Sequence, residues 1–248
     1  MAAPRLLQNA KVLPPILCRV SRDSSSSASS SLTKHRVLHY LYNRFYDIEA
    51  IINWSVRFKQ WNVRRKNAHY AYTEREYGKY AAASYYTLSQ KGGVRFQGQK
   101  DWYRANRRGK FSWNFLEHRE LPVECIDLSR SPLTYRGLDN IVALKELREL
   151  YLNNCPHLDD WALSRLHVFK DSLEVLSLAG CPSITEKGLA TLHHLQNLRY
   201  LDVSDLPSVT NKGLIRILME EVLPKCEIVG IDYSDADQEK SSHTELHH

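Results

Sequence analysis

A few groups in this chain have the residue types for chemistry. Asp159 and Asp160 are adjacent carboxylates, His193 and His194 are adjacent imidazoles, and Arg108-Gly109-Lys110 has the ingredients of a phosphate loop. There are also five cysteines: Cys18, Cys125, Cys155, Cys181 and Cys226. Spacing decides against each group. Consecutive helical residues point about 100° apart, so His193 and His194 chelate poorly. Asp159-Asp160 precedes an apolar run and reads as a helix cap and its neighbour, not as an acid/base pair. Phe111 follows Lys110 where a phosphate loop needs Ser or Thr, and no glycine sits five residues before Gly109. The cysteine count is odd and no pair has C-x-x-C spacing, which argues against a disulfide framework and a zinc site. No G-x-S-x-G, H-E-x-x-H or G-x-G-x-x-G occurs. The expectation is a non-enzymatic chain with no catalytic residue, no metal and no cofactor. Its work is binding.

What binds, and where, depends on how charge and apolar residues are distributed. The chain has 248 residues, 43% apolar and 25% charged, enough for one or two domains with a core. No run approaches the ~20 apolar residues of a membrane-spanning helix. The net charge of +6 conceals three blocks: residues 1–36 carry +5, residues 37–120 carry +9, and residues 121–248 carry −8. Such asymmetry speaks of partners rather than of fold. The first block holds Arg5, Lys11, Arg19, Arg22, Lys34 and Arg36 against one acid, Asp23, with a serine run at Ser24–Ser27. Basic, serine-rich and acid-poor composition marks a mitochondrial transit peptide over 1–36, disordered before import. A disordered tail is expected again over 234–248.

Residues 37–120 read as a basic, aromatic-rich, mainly helical domain. Leu38, Leu41, Phe45, Ile48 and Ile52 form a helical stripe, predicting a helix from about His35 to Gln60. A weaker helical stretch runs from Ala71 to Leu88. Gly92-Gly93 marks a turn and Val94-Arg95-Phe96 a short strand. Two basic clusters stand out: Arg57, Lys59, Arg64, Arg65 and Lys66, then Arg104, Arg107, Arg108 and Lys110. They suit a solvated face, an anionic membrane surface or nucleic acid. Nucleic acid ranks last, because no recognised nucleic-acid module is present, and none is expected as a partner.

The strongest signal is repetition. Leu147-Arg-Glu-Leu150-Tyr-Leu152-Asn-Asn-Cys155-Pro156, Leu173-Glu-Val-Leu176-Ser-Leu178-Ala-Gly-Cys181-Pro182 and Leu198-Arg-Tyr-Leu201-Asp-Val203-Ser-Asp-Leu206-Pro207 align with Ile126-Asp127-Leu128. Ile228-Val-Gly-Ile231-Asp-Tyr233 reads as a truncated fifth unit. The steps from Leu128 to Leu152, Leu178 and Val203 are 24, 26 and 25 residues. That is the leucine-rich-repeat period. It predicts an α/β fold: a short solenoid over 121–233, four to five repeats, parallel strands on a concave face and helices on the convex face, preceded by the helical domain. Inward rows are expected at Leu163-Leu166, Leu189-Leu192 and Leu214-Leu218, with Asp159, Thr185 and Thr210 as helix caps. Cys155 and Cys181 share one repeat position with Leu206, so they are read as buried packing residues. Outward strand positions give a candidate partner-binding face. Asp127, Tyr151, Ser177, Asp202 and Asp232 form one row, with Asn153 in the next. An acidic row with one tyrosine suits a basic partner, the chain's own basic middle, or solvent.

The blocks Asn43-Arg-Phe-Tyr-Asp-Ile-Glu-Ala50, Gly137-Leu-Asp-Asn140, Asp159-Asp-Trp161, Ser177-Leu-Ala-Gly-Cys-Pro182 and Asp202-Val-Ser-Asp-Leu-Pro207 resemble the ATP synthase subunit s-like family. These are mitochondrial leucine-rich-repeat proteins that include a distal membrane-arm assembly component of respiratory complex I. The resemblance runs from about Val37 to Asp232. It implies a scaffold on the matrix side of the mitochondrial inner membrane. Its partners would be protein subunits or assembly factors of the complex I membrane arm. The basic residues over 57–66 are separately expected to meet anionic membrane lipid or the acidic repeat face. A regulatory subunit like coupling factor B of ATP synthase is the alternative. A leucine-rich-repeat ubiquitin-ligase receptor of the cysteine type is the second, but Leu121-Pro122 runs straight into repeat strand where an F-box is needed.

Overall fold

Leu128, Leu152, Leu178 and Val203 are buried, each at most 2% exposed. The computed structural model describes residues 35, 36, 39, 40, 43, 48–106 and 108–231 and shows what they pack into. Among the described residues, helices α1 (Ile48–Lys66), α2 (Ala71–Tyr77) and α3 (Lys79–Ser89) precede the sheet. Seven strands follow: β1 (Gly93–Phe96), β2 (Tyr103–Arg104), β3 (Val123–Asp127), β4 (Glu149–Tyr151), β5 (Val175–Ser177), β6 (Tyr200–Asp202) and β7 (Glu227–Val229). They form one sheet in the order β2-β1-β3-β4-β5-β6-β7. β3 to β7 run parallel, and β1 is antiparallel to both β2 and β3. Helices α4 (Asp160–Ser164), α5 (Glu186–Ala190) and α6 (Lys212–Val222) carry the chain back between parallel strands, and the return after β3 is a single 3-10 turn, Gly137–Asn140. The architecture is a mixed α/β fold with a mostly parallel sheet.

The register explains the leucines. Ile126, Leu150, Leu176, Leu201 and Ile228 pair side by side across β3–β7 and all face the core. Burial of one such side chain contributes about 2 kcal/mol. Hydrogen bonds continue the ladder beyond each strand: Arg130 N–H donates to the Asn153 carbonyl (2.7 Å), Asn154 to Ala179 (2.7 Å) and Gly180 to Ser204 (2.9 Å). All three donors, and Asp205 at the same place in the next turn, have φ between 53° and 69°. Asn, Gly and Asp tolerate this left-handed geometry; Arg130 bears its cost. The next position holds the two thiols. Cys155 Sγ donates to the Leu128 carbonyl at 3.3 Å and Cys181 Sγ to Leu152 at 3.1 Å, each reaching the preceding turn.

Two of the three expected helix caps form. Asp159 Oδ1 accepts from Ala162 N–H at 2.9 Å and Thr185 Oγ1 from Lys187 N–H at 3.3 Å. Thr210 departs from the pattern. Its N–H and hydroxyl both donate to Glu186 Oε1, at 3.0 and 2.7 Å, and Asn211 takes the cap position. The helix thus starts one residue late. The inward row moves with it from Leu214 and Leu218, which are exposed, to Ile215 and Met219, which are buried.

Upstream, the expected Ala71–Leu88 helix is broken at Gly78, whose φ of 88° ends α2 and begins α3. The expected strand at 94–96 is β1. β1 and β2 join the same sheet as β3 to β7. The chain forms two compact units, one up to Val56 and one from Arg57. In the first unit the described residues are helical. Leu38, Leu41 and Phe45 of the expected stripe lie outside the described residues, and Ile52 is exposed. The segment expected as a transit peptide, apart from residues 35 and 36, and the residues after 231 also lie outside them.

Within the second unit two buried asparagines fasten the end of α1 to the first repeat turn. Asn67 Nδ2 donates to the Val63 and Pro132 carbonyls (2.9 and 2.7 Å), while Oδ1 accepts from Thr134 N–H (3.0 Å). Asn140 Oδ1 accepts from Tyr70 N–H (2.9 Å), and its amide donates to the Ala68 carbonyl (3.3 Å). Gly137 packs so close that a Cβ there would overlap Asn67 Oδ1.

Leu176 sits at the centre of this stack. Leu176→Ala is expected to lower unfolding free energy by about 3 kcal/mol in urea titration. Leu176→Asp should leave no cooperative transition, because a lone buried charge costs several kcal/mol more. An unchanged midpoint in the Ala variant would refute the packing described.

Candidate functional site

The sheet's outer face, away from the leucine core, carries two rows. Asp127, Tyr151, Ser177, Asp202 and Val229 form one, aligned by strand register. Asp232, expected as the fifth member, does not hold that place: β7 pairs Ile228 with Leu201, so Val229 takes it, and Asp232 lies outside the described residues. The motif Ile-x-x-Ile allows either alignment, and the hydrogen-bond ladder selects the one three residues earlier. The second row is Cys125, Glu149, Val175, Tyr200 and Glu227. It was not singled out from sequence. Side-chain alternation held the signal, since each member precedes a first-row residue by two.

The face is not uniform along the sheet. At its β1–β2 end it is answered by the chain's own basic residues. Arg104 reaches Asp127 at 3.1 Å and Arg95 reaches Glu149 at 3.0 Å. Trp102 lies between the two guanidiniums, 4.8 Å from Arg104 and 5.4 Å from Arg95, with its ring 6.4 Å from that of Tyr151. The Tyr151 hydroxyl donates to Glu149 Oε2 at 3.1 Å. Gly93 makes this possible: a Cβ there would stand 2.9 Å from Arg104 Cγ and 3.2 Å from the Trp102 ring.

Further along, the face is polar, with Ser177 buried, Asn153 and Asp202 half-buried and Glu227 exposed. Ser177 Oγ lies 2.5 Å from Asn153 Oδ1 and 2.9 Å from Asp202 Oδ2, so its single proton serves two acceptors. Ser204 hydroxyl donates to Asp202 Oδ1 at 2.7 Å. Among the described residues no basic side chain forms an ion pair with Asp202 or Glu227. Tyr200 and Val175 stand beside them, half-buried, as apolar ground. The sequence-named residues therefore separate. Asp127 and Tyr151 belong to the self-covered end, and Asn153, Ser177 and Asp202 to the open end.

The basic residues separate too. Arg57, Lys59, Arg64, Arg65 and Lys66 are all exposed on α1. Arg104 is committed to Asp127. Arg108 is exposed in a tight turn where Asn106 Oδ1 accepts from the N–H groups of Arg108 (3.0 Å) and Lys110 (2.9 Å). Arg107 lies outside the described residues.

Cys125 is fully buried in the second row. Burial first, then the Glu149 carboxylate, pushes its thiol up to about 12 from an ordinary 9.0. Arg95, with Nη2 2.7 Å from the sulfur, pulls the other way and loses. Raising pH past 9 ionises the unfolded thiol while the folded one keeps its proton. Stability is then lost progressively from pH 9 towards 12. The melting temperature should fall across that window, and Cys125→Ala should fall less steeply. Equal slopes in the two proteins would refute the role of this thiol.

No family model matches the chain. Distal membrane arm assembly component 2 of Drosophila melanogaster is 33% identical over 152 residues, 61% of this chain and 53% of its own length. The chain thus spans about half the length of that relative. Mitochondrial ATP synthase subunit s of Bos taurus is 30% identical over 160 residues, 62% of this chain and 76% of its own. The Macaca fascicularis subunit s is 31% identical with the same coverage. A shared stretch of this extent covers three-quarters of subunit s, and the chain belongs to the family of mitochondrial ATP synthase subunit s.

Proposed function

We propose that this chain is a non-enzymatic scaffold on the matrix side of the mitochondrial inner membrane. It holds protein subunits or assembly factors of the distal part of the complex I membrane arm while they are put together. In this reading the turns from β3 to β7 are leucine-rich repeats forming a short solenoid, and the partner lies on the outer face of their sheet. The period of 24 to 26 residues and the inward leucine row support it. The observation that carries it is the open end of that face: Asp202 and Glu227 carry no ion pair among the described residues, beside Tyr200 and Val175. Charge and an aromatic anchor on a rigid sheet suit recognition of a basic segment. The name of the Drosophila relative, an assembly component, points to the same class of role.

A regulatory role in ATP synthase is the second reading. It is favoured by coverage: the alignment takes in 76% of bovine subunit s and 53% of the Drosophila protein. The ubiquitin-ligase reading gains nothing, because the Pro122 carbonyl accepts from Gln97 N–H at 2.9 Å as part of the sheet.

Native electrophoresis with mass spectrometry of mitochondria expressing the tagged chain separates the readings. Co-migration with complex I membrane-arm intermediates is expected. Co-migration with ATP synthase alone would overturn the first reading in favour of the second. Tyr200→Ala combined with Glu227→Lys should abolish co-migration while leaving the melting temperature unchanged. Undiminished co-migration of that variant would remove the sheet face as the docking surface.

A further inference from the structure

The acidic sheet face accounts for Arg95 and Arg104 and leaves the α1 cluster unexplained. Between Arg57 and Lys66 the helix carries Arg57, Lys59, Arg64, Arg65 and Lys66 and no acid. Among the described residues none of the five forms an ion pair, and Arg65 lies 5.0 Å over the Trp61 ring of its own helix. Trp61 is 42% exposed and Phe58 52%, with their rings 5.9 Å apart. At 100° per residue Arg64, Arg57, Trp61, Arg65 and Phe58 fall on one arc of about 120°. Three guanidiniums therefore share one side of the helix with two aromatic rings.

We infer that this face of α1 is a docking site for an anionic phospholipid surface. Guanidinium forks match phosphate oxygens. Indole and phenyl rings settle at the level of the headgroups, where one side is wet and the other apolar. A solvated face needs no exposed tryptophan, and the chain's own acids at Asp127 and Glu149 are already met by Arg104 and Arg95. The helix is also held ready. Its last-turn carbonyls at Val63 and Lys66 accept from Asn67 Nδ2 (2.9 Å) and Gln90 Nε2 (2.7 Å), so little ordering remains to be done on contact. The inference deepens the membrane-peripheral placement proposed above and does not lean on the assembly role.

Flotation of the full chain with vesicles tests it. Binding is expected to phosphatidylcholine vesicles containing cardiolipin, not to phosphatidylcholine alone, and should weaken as salt is raised. Replacing Arg57, Arg64 and Arg65 together by Gln should weaken binding at least about tenfold. Replacing them by Lys should keep most of it. Trp61→Ala should weaken binding while the salt dependence persists. Melting temperatures matching the parent show that these exposed positions leave the fold intact. Equal binding of the Gln variant, or equal binding of the parent to uncharged vesicles, overturns the inference. So does an RNA oligonucleotide that displaces the chain from cardiolipin vesicles and loses its own binding in the Gln variant. Failure on vesicles with intact co-migration in mitochondria would strike this site alone and leave the scaffold reading standing.

Discussion

Every turn from β3 onward depends on its neighbour. A three-residue strand such as Leu150 with its flanks buries nothing alone, and its backbone groups pair only with the strands beside it. Arg148 N–H donates to Glu124, Glu174 to Arg148, Arg199 to Glu174 and Glu227 to Arg199, each carbonyl one turn back and each at 2.8 Å. The side chains of Glu124, Arg148, Glu174 and Arg199 link the turns again, with Arg148 between Glu124 (3.6 Å) and Glu174 (3.9 Å) and Arg199 3.9 Å from Glu174. These exposed ion pairs add little on their own. The stacked leucines and the shared backbone ladder carry the stability.

A stack of this kind has two ends, and an end exposes both apolar side chains and unpaired strand edges. At the first end the problem is solved by reversing direction. β1 lies antiparallel against β3 and buries Val94 and Phe96 at the margin of the core. α3 lies against the same edge, with Tyr86 and Leu88 fully buried. The capping hairpin comes from the basic middle of the chain, and that origin has an electrostatic consequence. Arg95 sits opposite Cys125 in the ladder, so its guanidinium necessarily reaches across the sheet face to Glu149. Part of the charge asymmetry between the two halves of the sequence is thus spent inside the molecule.

Most of the sheet could be read from the sequence, because leucine spacing reports burial and burial sets register. The inward row, the thiol ladder and the caps at Asp159 and Thr185 all follow from position within the repeat. Departures arise where a residue has two acceptable roles. Thr210 can cap a helix or donate to Glu186, and the carboxylate takes it, turning α6 by one residue. Ile228 and Ile231 fit the same apolar pattern three residues apart, and only strand pairing distinguishes them. The second outward row escaped notice because Cys125, Val175 and Tyr200 share no residue type. Periodicity of polarity cannot reveal a row whose members differ in polarity. Arg95 and Trp102 were equally hidden, since their role depends on an antiparallel pairing that no local signal announces.

The self-covered end of the face also indicates what the open end can hold. There, two arginines flank a tryptophan above Asp127, Glu149 and Tyr151, and the glycine at 93 makes room for them. Three strands further on from Asp127 and Glu149, the same rows present Asp202 and Glu227, with Tyr200 beside them and no ion pair to either acid among the described residues. Register makes the spacing between rows the same at both ends. The tyrosine changes rows, from Tyr151 in the first to Tyr200 in the second, so the two ends share their pair of acids and not the position of the ring. The hairpin also sets a limit on the partner proposed for this face. It occupies β3 and β4, so a bound segment is confined to the outer face of β5 to β7. A partner too long for three strands has to leave the sheet at that point.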